Sequence, residues 1–211
     1  ETIGFAHAYY SNRHRYLRYI DDKNYFYPNK VALTGKAPLE FFINKKWPLD
    51  KCFILGSPRN FESLPDDHKY RKKNSILIIP GYHYELKVIT NWLVKNAKKL
   101  KKYKFVIRPY PYDWQDIQLN YLLNLKNHSV NFKISNKKSL YEQFSSSDVI
   151  LFNSSSAGIE AMFSNAIVIK YEADELIKLF DEFQEKLEKI EKIKSSDQLL
   201  EILNTISSYS E

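Results

Sequence analysis

The sequence predicts an α/β protein built on a doubly wound parallel sheet, and three observations predict it. Short β-branched or aromatic runs, each bounded by turn residues, alternate with helical patterns almost from end to end. Several runs, such as VILF at 149–152, are apolar without alternation, as strands covered on both faces are. Strands separated by helices join most simply as a parallel sheet with a helical layer on each side.

Taken in chain order, Ile3–Ala6, Val31–Leu33, Cys52–Leu55 and Ile76–Pro80 read as strands. Glu85–Leu100 reads as an amphipathic helix, since Leu86, Ile89, Leu93, Ala97 and Leu100 recur every three or four residues and lysines fill the other face. The strand Phe105–Arg108 and the helix Gln115–Leu125 follow, then the strand Phe132–Ile134 and the helix Leu140–Ser145. Val149–Asn153 and Ala166–Tyr171 are strands that flank a helix at Ala157–Phe163. Ala173–Glu185 reads as helix and Ile190–Ile193 as a short strand. Ser195 or Ser196 then caps a last helix carrying Leu199, Leu200, Ile202 and Leu203. The charged stretch Asp66–Asn74 reads as an exposed connection.

The chain has 211 residues, of which 44% are hydrophobic and 27% charged, inside the range of globular domains and enough for one sizeable core. A soluble, folded chain is expected. Thirty-two Lys plus Arg against 25 Asp plus Glu leave a net charge of +7, which favours anionic partners without choosing among them. The single cysteine, Cys52, sits in an apolar run and excludes both a disulfide framework and a multi-cysteine zinc site. No run reaches the length of a membrane span and no charged-then-apolar leader opens the chain, so a cytoplasmic location is expected. Because the first residue is Glu1 and the only methionine is Met162, the chain reads as a piece of a longer protein.

The segment Asp148–Met162 (DVILFNSSSAGIEAM) is the most informative: a buried strand, a loop of small polar residues, then a helix start. In open parallel sheets ligands bind beyond the carboxyl ends of strands, where helix amides and the helix dipole favour an anion. Asn153, Ser154, Ser155 and Ser156 stand at that position. Either the serines let a phosphate reach the backbone, or one of them only caps the helix. Glu160, four residues after Ser156, either holds ribose hydroxyls or is an ordinary exposed helical glutamate.

The segment Phe105–Trp114 (FVIRPYPYDW) ends a second buried strand with Arg108 and Tyr110, stiffened by Pro109 and Pro111. A rigid arginine suits a phosphate and equally suits a carboxylate partner. Gly81 after ILII and Ser57 in GSPR are further strand-end candidates, and His7 stands at the end of the first strand as a base or a structural histidine. Walker, GxSxG, paired CxxC and HExxH motifs are lacking, so P-loop, α/β-hydrolase and zinc chemistry have no support. The aromatic content and basic balance could suggest nucleic-acid stacking, but the tyrosines are scattered instead of sharing strand faces with Arg and Lys, which argues against it.

Together these segments resemble the GT-B glycosyltransferases of bacterial surface-polysaccharide synthesis, in particular the branch that transfers Kdo, sialic acid or glycerol phosphate. TIGFAHA resembles the family's iGxQH strand end, YPNKVALTG its P-d-x-i-x-x-x-G step, FILGSPR its GxPR entry to the C-terminal lobe and FVIRPYP its iRpHP element. SLYEQFSSSDVILFNSSSAGIEAMFSNAIVIKY resembles its long Ser-Ser-…-Glu-Ala motif, in the same order. Two positions depart from the pattern: Tyr110 stands for the usual histidine and Ala6 for the glutamine before His7.

The resemblance implies that residues 1–55 end an N-terminal lobe and that residues 56–211 form a Rossmann-like lobe binding a nucleotide-sugar, a CMP-sugar on this resemblance. It implies donor-nucleotide contacts from Arg108, Tyr110, Asn153, Ser154, Ser155, Ser156, Glu160, Gly81 and Ser57, with His7 as the catalytic residue and no metal or cofactor. The partners implied are a glycan acceptor, capsule or lipopolysaccharide among them, and an N-terminal lobe, with peripheral association at the inner face of the membrane. A nucleotide-sugar epimerase and a non-catalytic nucleotide-sugar or glycan-binding module are the competing readings on the same fold.

Overall fold

The computed structural model describes residues 1–6, 19–20, 26–56, 74–81, 83–109, 115–135, 139–174 and 190–208. They fall into two compact units, one holding the described residues up to 56 and the other those from 74 onward.

The first unit is a three-stranded parallel sheet in the order β1-β2-β3, with β1 at Ile3–Ala6, β2 at Lys30–Leu33 and β3 at Cys52–Ile54. Between β2 and β3 lies α1 (Lys36–Asn44), a helix that the apolar pattern of the sequence does not announce. Its Pro38 falls in the first turn, where a missing N–H costs nothing, and it ends just before Lys46, whose φ of 66° is left-handed. Phe42 of α1 and Trp47 are buried against Val31, Leu33 and Cys52, with Tyr19 and Tyr27 packed on them.

The second unit is a six-stranded, wholly parallel sheet in the order β6-β5-β4-β7-β8-β9. Its strands are β4 (Ser75–Ile79), β5 (Lys104–Ile107), β6 (Phe132–Ile134), β7 (Val149–Phe152), β8 (Ile167–Tyr171) and β9 (Glu191–Ile193). Every residue of β4 and of β7 is buried, as the unbroken apolar runs predict for central strands. Its helices are α2 (His83–Lys95), α3 (Ala97–Leu100), α4 (Gln115–Asn127), α5 (Leu140–Ser145), α6 (Ser156–Glu160) and α7 (Ser196–Ser208).

Side chains alternate across the sheet. Ile76, Ile78, Phe105, Ile107, Val149, Leu151 and Ile169 join one core with Leu86, Ile89 and Leu93 of α2, Leu122 and Leu125 of α4 and Leu199 and Leu203 of α7. Leu77, Ile79, Ile150 and Phe152 alternate to the other face, where Gly158 of α6 lies against the Phe152 ring. Helices therefore cover both faces, and the α/β doubly wound class is the observed one.

The long helix expected over 85–100 begins two residues earlier and breaks at Asn96, whose side-chain Nδ2 donates to the Trp92 carbonyl at 2.8 Å. The helix expected at 157–163 is α6 plus one 3-10 turn, Ala161–Phe163. Ser195 is the cap of α7: its Oγ accepts from Gln198 N at 3.2 Å while Gln198 Oε1 accepts from Ser195 N at 3.1 Å, a reciprocal capping box. The expected connection at 66–73 and the expected helix from 175 onward lie outside the described residues.

Candidate functional site

All six strands run the same way, so their carboxyl ends share one edge. The strand order reverses between β4 and β7, because β4 is followed by strands added on one side and β7 opens the other. At such a reversal the loops leaving the two strands diverge to opposite faces and leave a crevice, the usual ligand position in this architecture.

Gly81 follows β4, Asn153, Ser154, Ser155 and Ser156 follow β7, and Arg108 follows the neighbouring β5, all at this edge. Six expected residues are thus brought to three adjacent strand ends. Tyr110, His7 and Ser57 lie outside the described residues.

Arg108 is partly buried, and its guanidinium donates to Oε1 of Gln143 at 2.7 Å. Gln143, in α5, is 2% exposed and passes the contact on, its Nε2 donating to Ser135 Oγ. The amide of Gln143 thus orients the guanidinium at the end of β5.

Asn153 turns inward and ties β7 to β8, its Nδ2 donating to the Tyr171 carbonyl at 2.6 Å. Ser155 has φ −70° and ψ 130° and caps α6, its Oγ accepting from Ala157 N at 3.3 Å. Ser156 is the first helical residue. Glu160 is 5% exposed, which excludes the expectation of an ordinary solvated helical glutamate.

Two groups at this edge have little or no signal in the sequence. Glu85, 4% exposed in the first turn of α2, accepts from Gly81 N at 2.7 Å and from both the backbone amide and the hydroxyl of Ser154. Its one sequence signal is an acidic residue in a helix first turn. Lys170, 5% exposed near the end of β8, pairs with Glu172 at 3.2 Å; an interior position in the apolar run IVIKY suggests no polar partner. Among the described residues no group of three or more His, Cys, Asp or Glu is placed to hold a metal ion, and no helix is long and apolar enough to cross a membrane. A groove of about 860 Å³ is lined by Met162, by Ile167 at the start of β8, by β9 and by Ile202 of α7.

No family model and no curated protein matches the sequence. Solved structures do match it in shape. Anabaena HepE, solved with UDP and glucose, superposes with a TM-score of 0.63 at 14% identity, over 96% of this chain and 61% of that one. The fold is that of the GT-B proteins. A mutant of S. aureus TarM, solved with fondaparinux, alpha-GlcNAc-glycerol and UDP, gives a TM-score of 0.59 at 15% identity, over 96% of this chain and 43% of that one. UDP-N-acetylglucosamine 2-epimerase from Rickettsia bellii gives 0.56 at 15% identity, over 86% of this chain and 51% of that one. The chain spans about half the length of these GT-B neighbours, between 43% and 61% of the three.

Proposed function

We propose that this chain is the donor-binding part of a GT-B glycosyltransferase that takes a sugar activated by a pyrimidine nucleotide and passes it to a bacterial surface glycan. The observation that carries the reading is that Arg108, held by Gln143, and the serine turn 154–156 leave the carboxyl ends of β5 and β7, the strands on either side of β4. Arg108 and the amides of Ser155 and Ser156 would bind the nucleotide's phosphates. Negative charge grows on the leaving nucleotide as the glycosyl bond breaks, and fixed donors stabilise it there more than in the ground state, which is electrostatic catalysis of the oxyanion-hole type. Glu160 would take the ribose hydroxyls. Tyr110 and Ser57 complete the proposed donor contacts, Gly81 shapes the end of β4 while its amide is held by Glu85, and His7 is the proposed catalytic residue.

The sequence resemblance favours a cytidine nucleotide, whereas HepE and TarM were solved with UDP. Calorimetric titration of the chain with CMP, UDP and GDP, each with and without EDTA, separates these cases. Binding of CMP or UDP that survives chelation is expected. Failure of all three nucleotides to bind overturns the donor-site reading, and binding lost with EDTA overturns the metal-free part of it.

One observation favours a second reading, a nucleotide-sugar epimerase: the Rickettsia bellii 2-epimerase is similar in fold, and Glu160 is a buried carboxylate at the end of the short helix that follows β7. Proton exchange at the carbon bearing the acetamido group of UDP-N-acetylglucosamine, followed by NMR in deuterated buffer, would replace the transferase with it.

A further inference from the structure

The donors that a ligand anion would meet first at the β4/β7 reversal are already taken. Gly81 N–H donates to Glu85 Oε2 at 2.7 Å, Ser154 N–H reaches the same oxygen at 3.4 Å, and the Ser154 hydroxyl donates to Oε1. The two segments are closely seated around that carboxylate. A Cβ on residue 81 would stand 2.8 Å from Ser154 Oγ and 3.2 Å from the amide nitrogen of Ser155, so the end of β4 and the turn after β7 touch through glycine.

A glutamate that only capped α2 would bond a backbone amide at the start of its own helix and stop there. Glu85 goes on to a residue 69 positions away, in the turn that follows another strand, and it is 4% exposed. A carboxylate is stable at that burial only where several donors converge on it, and the fold supplies donors from both sides of the crevice.

We infer that Glu85 is a positioning residue, an anion supplied by the chain itself that locks the turn after β7 to the end of β4. The last consequence rests on the donor-site reading: with its carboxylate on Gly81 and Ser154, Glu85 keeps a ligand phosphate off those donors, and holds Ser155 and Ser156 where the nucleotide meets them.

Removing the carboxylate and returning it as a small ion tests this. Glu85→Ala should melt lower and bind the preferred nucleotide at least tenfold more weakly. Formate or acetate, against chloride at the same ionic strength, should raise the melting temperature of Glu85→Ala and restore much of its affinity, with no such effect on the wild type. Glu85→Gln, which keeps the volume and turns a donor toward donors, should be weakened and not rescued. No rescue of melting in a folded Glu85→Ala overturns the inference, and so does rescued melting with wild-type affinity throughout. If Glu85→Ala does not fold, the cycle of Glu85→Gln with Ser154→Ala decides: the nucleotide losses should be non-additive, and additive losses overturn it. If the wild type binds no nucleotide the donor reading falls, and formate-dependent melting alone then judges the resident anion.

Discussion

Gly158 lies flat against the ring of Phe152, with no room between them for a Cβ. Phe152 is the last residue of β7 and fully buried, and Gly158 is the third residue of α6, so the short helix sits directly on the strand that delivers the serine turn. The turn's position follows from this contact as much as from its own hydrogen bonds.

Gly158→Ala should therefore destabilise the protein by about 1–3 kcal/mol or more, because ring and helix must separate. Denaturant unfolding followed by tryptophan fluorescence checks it. Stability equal to wild type would mean that α6 shifts freely over β7 and that the contact does not set the turn.

Arg108→Ala should weaken nucleotide binding about ten- to a hundredfold, the loss of a hydrogen bond to a charged group at about 1.5–3 kcal/mol. Gln143→Leu keeps the buried volume but removes the amide that orients Arg108. A several-fold loss of affinity is expected, read against a melting curve for the same variant. Unchanged affinity in Arg108→Ala removes the arginine from the donor site.

Ser155 and Ser156 separate capping from ligand contact. Ser155→Ala loses the bond from Ala157 N and should cost about 1 kcal/mol of stability. Ser156→Ala, at the first helical position, should leave stability within about 0.5 kcal/mol and weaken nucleotide binding about tenfold. Intact affinity in both variants would leave the turn as a helix start and nothing more.

Burial pushes the Cys52 thiol up, and the carboxylate of Asp50 adds in the same direction. The folded protein keeps this proton at a pH where the unfolded chain loses it. The stabilisation is complete below the thiol's ordinary value, about 8.5, and is lost as pH rises through the higher folded value. Urea unfolding between about pH 7 and 10 should show the wild type losing stability relative to Cys52→Ala above about pH 8.5. Parallel pH profiles would count against a raised thiol.

Much of the architecture is legible in the chain because it rests on local pattern. β4 and β7 announce themselves as unbroken apolar runs, α7 as a periodic stripe behind a serine cap, and the serine turn as a polar break between strand and helix. α1 is not legible: nine residues containing Pro38 and the adjacent pair Phe41–Phe42 give no clean helical stripe, and its one buried residue, Phe42, is buried by Trp47 and the strands beside it.

The sequence by itself determined the parallel doubly wound class and which loops leave the central strands, because strand alternation and apolar runs are properties of neighbouring residues. Only the tertiary structure decided what those loops do to one another. Glu85 reads in the chain as a helix-start glutamate like many others, and becomes a buried carboxylate because strand order places Ser154, 69 residues on, beside Gly81. Arg108 likewise reads as a choice between phosphate and carboxylate, and nothing near it in the chain announces Gln143, 35 residues away in α5, at its guanidinium. Hydrogen bonds across such separations depend on which strands are neighbours, and adjacency in a crossed sheet is set by packing the whole core, a quantity no local stretch of sequence contains.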